Sequence, residues 1–288
     1  MLSPATVGRA NYQNAAGSCQ KLPEREPGDD VECAVLGFAP MAGATPTAAQ
    51  RSATVVREGE GRWGPDASWG EDAGVLVRLL RTHSPEDPES DDTLLMRLPP
   101  GYRAVFPQGP AQWHELFVMA GRLQADEAWY GGGDYVRFPP DYTLSAVAAG
   151  DDGAEALVVR GSREVVPVAP PGDQPGRPDR RPVPGGEWGY LDLKDRTDRL
   201  PLRWERTRGE ATWLLRCPPG HTGTPTRADG VALESLVLSG DVAVEGFSPP
   251  FGPRDYLFFP AGAIPDTCHT QHGCELFLRT IAATGEFM

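Results

Sequence analysis

A chain of 288 residues is long enough for two domains, each with its own core. Its net charge of −13 sets it against nucleic acid and anionic membrane as partners, because nothing would offset the phosphate repulsion. No stretch approaches the roughly 20 apolar residues of a membrane span, no basic-then-apolar signal pattern opens the chain, and five cysteines make no disulfide framework, so a cytoplasmic protein is expected.

Residues 1–30 are polar and interrupted by Gly and Pro, which predicts a flexible N-terminal arm. A first domain is expected over 31–160. Segments 33–38 and 53–56 could add strands to it or to the edge of the other domain. Short apolar runs follow at 76–80, 94–98, 116–119, 135–138 and 156–159, punctuated by Pro99-Pro100, Gly121 and Pro139-Pro140. Residues 161–186 read as a Pro/Gly-rich linker. A second domain is expected over 187–288, with strands at 213–216, 235–238, 256–259 and 275–279. The nearest approach to an amphipathic helix is 111–123, and its counterpart later in the chain carries too many β-formers. With 30 prolines and 34 glycines between short runs, the expectation is all-β.

The two halves repeat one another. Thr93-Leu94-Leu95-Met96-Arg97 returns as Thr212-Trp213-Leu214-Leu215-Arg216, and Glu115-Leu116-Phe117-Val118 as Glu234-Ser235-Leu236-Val237, at one offset (212 − 93 = 119 and 234 − 115 = 119). Trp69 and Trp188 keep the same offset. A register held this long predicts two copies of one domain.

Each copy resembles a cupin, a double-sheet β-barrel of the jelly-roll type. The resemblance rests on an apolar strand ending at Gly121-Arg122-Leu123 and again at Gly240-Asp241-Val242. It rests also on Asp134-Tyr135-Val136-Arg137-Phe138-Pro139 and Asp255-Tyr256-Leu257-Phe258-Phe259-Pro260. These are most similar to bicupins and to cupins of the ChrR anti-sigma-factor type. The resemblance covers about 60–160 and 185–282 and implies two tandem barrels, packed through sheet faces or exchanged strands. It also implies a metal held by a His-Xaa-His pair, a glutamate and a third histidine. Those positions fall here on Pro107 and Gly109, His114, and Leu144 in the first copy, and on Thr226 and Ala228, Leu233, and Pro265 in the second. The family's metal motif is therefore degenerate in both copies.

His114 alone among these positions could act on a ligand inside a barrel, and imidazole titrates near neutral pH. Glu115, its neighbour on a strand, must face the other way. Its recurrence as Glu234 predicts a shared structural task on the outer face. The resulting reading is a small-molecule enzyme of acid–base type (isomerase, lyase or cyclase), with His114 as general acid or base and Arg97, Tyr102 and Arg137 orienting the substrate. Trp113, Phe117 and Trp129 would supply its apolar wall, the alternative being core or inter-barrel packing. The rival is a non-catalytic ligand-binding or sensory bicupin. A third reading keeps a divalent metal (Zn, Fe or Mn) on His221, Cys268, His269 or His272, although alternation puts His269 opposite Cys268 and His272. Cupins often pair through their sheets, which leaves a homodimer open.

Overall fold

The computed structural model describes residues 53–65, 74–82, 91–105, 112–139, 142, 144–161, 179–182, 189–192, 197–205, 210–223 and 231–282. The expected arm, Cys33, and Pro107, Gly109, Thr226 and Ala228 lie outside them. The described residues form strands and no helix, so none is long and apolar enough to cross a membrane. In chain order the strands are β1 (Thr54–Val56), β2 (Gly64–Pro65), β3 (Leu76–Arg81), β4 (Asp91–Leu98), β5 (Arg103–Val105), β6 (Gln112–Ala125), β7 (Ala128–Gly131), β8 (Asp134–Arg137), β9 (Ala146–Gly161) and β10 (Asp179–Pro182). They continue as β11 (Gly189–Asp192), β12 (Thr197–Glu205), β13 (Glu210–Cys217), β14 (Thr222–Gly223), β15 (Val231–Gly240), β16 (Ala243–Val244), β17 (Tyr256–Phe259), β18 (Cys268–His269) and β19 (Cys274–Ala282). The segment whose spacing came nearest to a helix is β6.

Most of the described strands fall in two large sheets. One runs β10-β8-β6-β9-β4-β3-β2 and the other β1-β17-β15-β19-β13-β12-β11. The orders match position for position, β10 standing where β1 stands and β6 where β15 stands. In each, the strand that leads into one half of the chain pairs with the other half: β1 lies on β17, and β10 on β8. Part of the segment read as linker is thus a strand of the first sheet. Further strands close the barrels, within the same sheet in the first and as a separate small sheet in the second. The far ends of β6 and β9 with β5 and β7 close the first, and β14-β18-β16 the second.

Alternation sorts the strand side chains into three cores. Leu94, Met96, Leu116, Val118, Ala156 and Val158 point into the first barrel. Leu233, Val237, Cys274, Leu276 and Leu278 point into the second. The intervening Leu95, Phe117, Leu157, Leu214, Leu236 and Phe277 form a third core where the two large sheets face each other. Strands buried on both faces read as continuous apolar runs, which is why 94–98 and 235–238 show little alternation.

The barrels bend where β6 passes Gly153 within β9 and where β15 passes Gly273 just ahead of β19. Gly121 and Gly240 take φ of 73° and 77°. A Cβ there would lie 2.2 Å from Gly153 O and 1.9 Å from Gly273 O, so only glycine fits both the conformation and the space.

Candidate functional site

The seam between the sheets is not wholly apolar. Glu115 and Glu234 lie at its centre, 2% and 3% exposed. Glu115 accepts hydrogen bonds from Tyr135 Oη (2.9 Å), Thr212 Oγ1 (2.9 Å) and Arg203 (2.6 Å). Glu234 accepts from Tyr256 Oη (2.6 Å), Thr93 Oγ1 (2.7 Å) and Arg81 (2.7 Å). Each glutamate thus takes a tyrosine from its own barrel and a threonine and an arginine from the other. The expected shared task is there, with partners across the seam instead of on an exposed face. Arg279 joins the halves: it donates to Asp91 and to Glu234 (3.1 Å), and its Nε lies 3.3 Å from Glu115.

The cations outweigh the cost of burying the carboxylates. Burial would raise the Glu234 pKa, but Arg81 and Arg279 hold it down to about 2. Glu115 is lowered against the same burial by Arg279 and Arg203. Asp91 is pulled below the ordinary carboxylate range by Arg279 and His114. Burial and the adjacent glutamates push the Tyr135 and Tyr256 hydroxyls well up, so both remain donors.

His114 stands at the edge of this network, its Nδ1 3.2 Å from Asp91 Oδ1 and its side chain 19% exposed. Strict alternation would aim it into the barrel. A β-bulge between Trp113 and Glu115 changes that. Trp113 takes the inward place and meets Phe138 edge-on at 6.2 Å, while His114 turns to Asp91.

The other candidates are dispersed. Arg137 pairs across from Glu115 on β8. Tyr102 packs against the first barrel's core. Arg97 lies over Trp63 at 3.9 Å and bonds Glu155, which also takes Arg254. Phe117 faces Phe277 in the seam at 5.5 Å, and Arg122 caps Trp129 at 5.1 Å. No single wall of a pocket collects Trp113, Phe117 and Trp129.

The histidines of the second barrel are also separate. His272 is 72% exposed and bonds Asp241 (2.9 Å), and His269 bonds Thr222 (3.0 Å). The His221 ring covers Gly223, and Cys268 bonds the Gly223 carbonyl (3.4 Å). Among the described residues no three His, Cys, Asp or Glu side chains converge on a metal position. A cavity of about 440 Å³ opens beside them, lined by Asp198, Arg216, Cys217, His272, Cys274 and Glu275 among others.

No family model and no curated protein matches the chain. Solved structures do. A putative dioxygenase from Nostoc punctiforme aligns with a TM-score of 0.56 at 21% identity, over 74% of this chain and 75% of its own. A variant of Bacillus subtilis oxalate decarboxylase aligns at 0.53 and 15%, over 84% and 78%. Escherichia coli pirin YhhW, solved in complex with nickel(II), aligns at 0.57 and 8%, over 81% and 100%. The fold is a pair of tandem cupin barrels. Among the described residues, three of the four positions that the cupin resemblance gives to metal ligands carry no ligand. Leu144 and Leu233 are buried among apolar side chains where ligands are expected, and Pro265, also buried, offers no side-chain donor. His114, the one imidazole at such a position, is turned to Asp91.

Sequence reasoning passed over Asp91, Arg81, Arg203 and Arg279. Thr93/Thr212 and Tyr135/Tyr256 were visible inside the repeated motifs. The usable signal was polar residues repeating at positions that face away from each barrel's own core.

Proposed function

We propose that this bicupin acts on a small organic molecule by proton transfer, with His114 as the acid–base group and without the usual cupin metal. The observation that supports this is the 3.2 Å approach of His114 Nδ1 to Asp91, itself held ionised by Arg279. A carboxylate this close to Nδ1 favours the tautomer that carries its proton there, which leaves Nε2 to accept one from a substrate. Of the expected orienting groups, Arg137 stands on the strand paired with β6, across from Glu115, and its charge would suit an anionic substrate. The reactions open to such a group are isomerisation, elimination, decarboxylation and cyclisation. Tyr102 and Arg97, which stand elsewhere, take no part.

Hydrogen exchange into 2-oxo and 3-oxo acids, followed by proton NMR in D2O, tests the reading. The wild-type protein should accelerate exchange at the carbon next to the carbonyl, and His114→Asn should remove the acceleration while barely moving the thermal midpoint. A variant as active as wild type would end the role of His114.

A binding protein without turnover is the second reading. It is favoured by the apolar filling of both barrels and by the cavity at the second barrel's mouth. Saturable binding of the same acids without exchange would support it.

A further inference from the structure

We propose that Cys217 and Cys274 form a reversible redox pair at the mouth of the second barrel. They are direct cross-strand partners on the last rung of β13 and β19. Directly opposed residues of an antiparallel pair have Cα atoms about 4.5–5.5 Å apart, within the span that a disulfide bridges. Both are free thiols, 7% and 5% exposed, on the inward face of the barrel.

The first barrel supplies an internal control. Its matching rung, on β4 and β9, is Leu98 against Ala154. Two aliphatic side chains therefore suffice to pack this position, so packing does not require two thiols. Cys217 and Cys274 are also among the residues that line the cavity at this end of the barrel. Within the pair, the Cys217 thiol donates toward Cys274 and draws the Cys274 pKa below the ordinary thiol value, which favours Cys274 as attacking sulfur. The third thiol, Cys268, is pushed up to about 11 by burial, and it bonds the Gly223 carbonyl instead.

The oxidant class is a hydroperoxide. The Cys274 sulfur attacks the terminal peroxide oxygen. The O–O bond breaks, an alcohol (water, for hydrogen peroxide) leaves, and Cys274 becomes a sulfenic acid. The Cys217 sulfur then displaces that hydroxyl as water and closes the disulfide. Two thiols and one hydroperoxide give one disulfide, one alcohol and one water, and a dithiol reductant returns both electrons.

The test uses the full chain, reduced and freed of reductant, then treated with hydrogen peroxide and alkylated. The expected result is the loss of two titratable thiols, a Cys217–Cys274 linked peptide in the digest, and full reversal by dithiothreitol. The linkage should form faster in the native chain than in the urea-unfolded chain. Cys217→Leu with Cys274→Ala, the first barrel's own pair, should fold and form no link. Should that variant fail to fold, Cys274→Ala alone must also form no link. Thiols that stay reduced in the native protein, or a disulfide that instead recruits Cys268, Cys19 or Cys33, overturns the proposal.

Discussion

Arg279 has no equivalent in the first barrel. Across from Glu234 on β19 stands Arg279, and across from Glu115 on β9 stands Val159. One guanidinium, 4% exposed, therefore serves Asp91, Glu115 and Glu234 together. Its planar fork suits several carboxylates at once in a way an ammonium does not. Removing one partner of a buried ion cluster leaves uncompensated charge and costs about 3–5 kcal/mol. Arg279→Val, which installs the first barrel's own residue, should lose about that much in urea unfolding, and adding Glu234→Gln should recover part of it. A loss below about 1 kcal/mol would show the carboxylates finding water or protons instead of needing Arg279.

Two local devices shape the strands. The bulge in β6 moves His114 out of the barrel and seats Trp113 within it, so one extra residue decides which side chain meets Asp91. The glycine bends let β6 and β15 run close over Gly153 and Gly273. Gly220 has a similar φ of 73° but open space around its Cβ position. Gly220→Ala should therefore cost only the conformational term, about 1–2 kcal/mol. Gly240→Ala adds a backbone collision and should cost clearly more by chemical denaturation. Equal losses would dismiss the role of the close approach. The exchanged strands β1 and β10 add a further tie, anchored for β1 by Arg57, which bonds Asp255 (3.1 Å) and lies over Phe251 at 3.7 Å.

The barrels are coupled through the seam, where an apolar core surrounds the ionic network. That coupling is pH-dependent with a definite sign. Glu234, Glu115 and Asp91 have folded-state pKa values below their unfolded ones. Their contribution is present above the unfolded carboxylate range and is lost as pH falls through it. For Glu234 the window runs from about 4.5 down to about 2, worth on the order of 3 kcal/mol. Thermal midpoints should hold steady from neutral pH to about 5 and then fall steeply on acidification. Glu234→Gln should flatten the fall and lower the plateau. An acid limb of the same slope in wild type and variant would contradict the assignment.

Much of the fold was legible in the chain. Short apolar runs broken by Gly and Pro dictate strands, because those residues end ladders for reasons of φ and of donor supply. The runs at 94–98, 116–119, 213–216 and 235–238 all lie within strands, and Thr93, Glu115 and Tyr135 recurred as Thr212, Glu234 and Tyr256 before any partner was known. What spacing could not give was the partner. Arg81 and Arg203 reach carboxylates of the opposite barrel, and β1 pairs 200 residues away in the chain. His114 illustrates the limit: alternation aims it inward, and a bulge that no local propensity signals turns it to Asp91. Periodicity is a property of one strand and is written along it. Cross-seam pairing depends on how two twisted sheets meet, and that geometry exists only once both have closed.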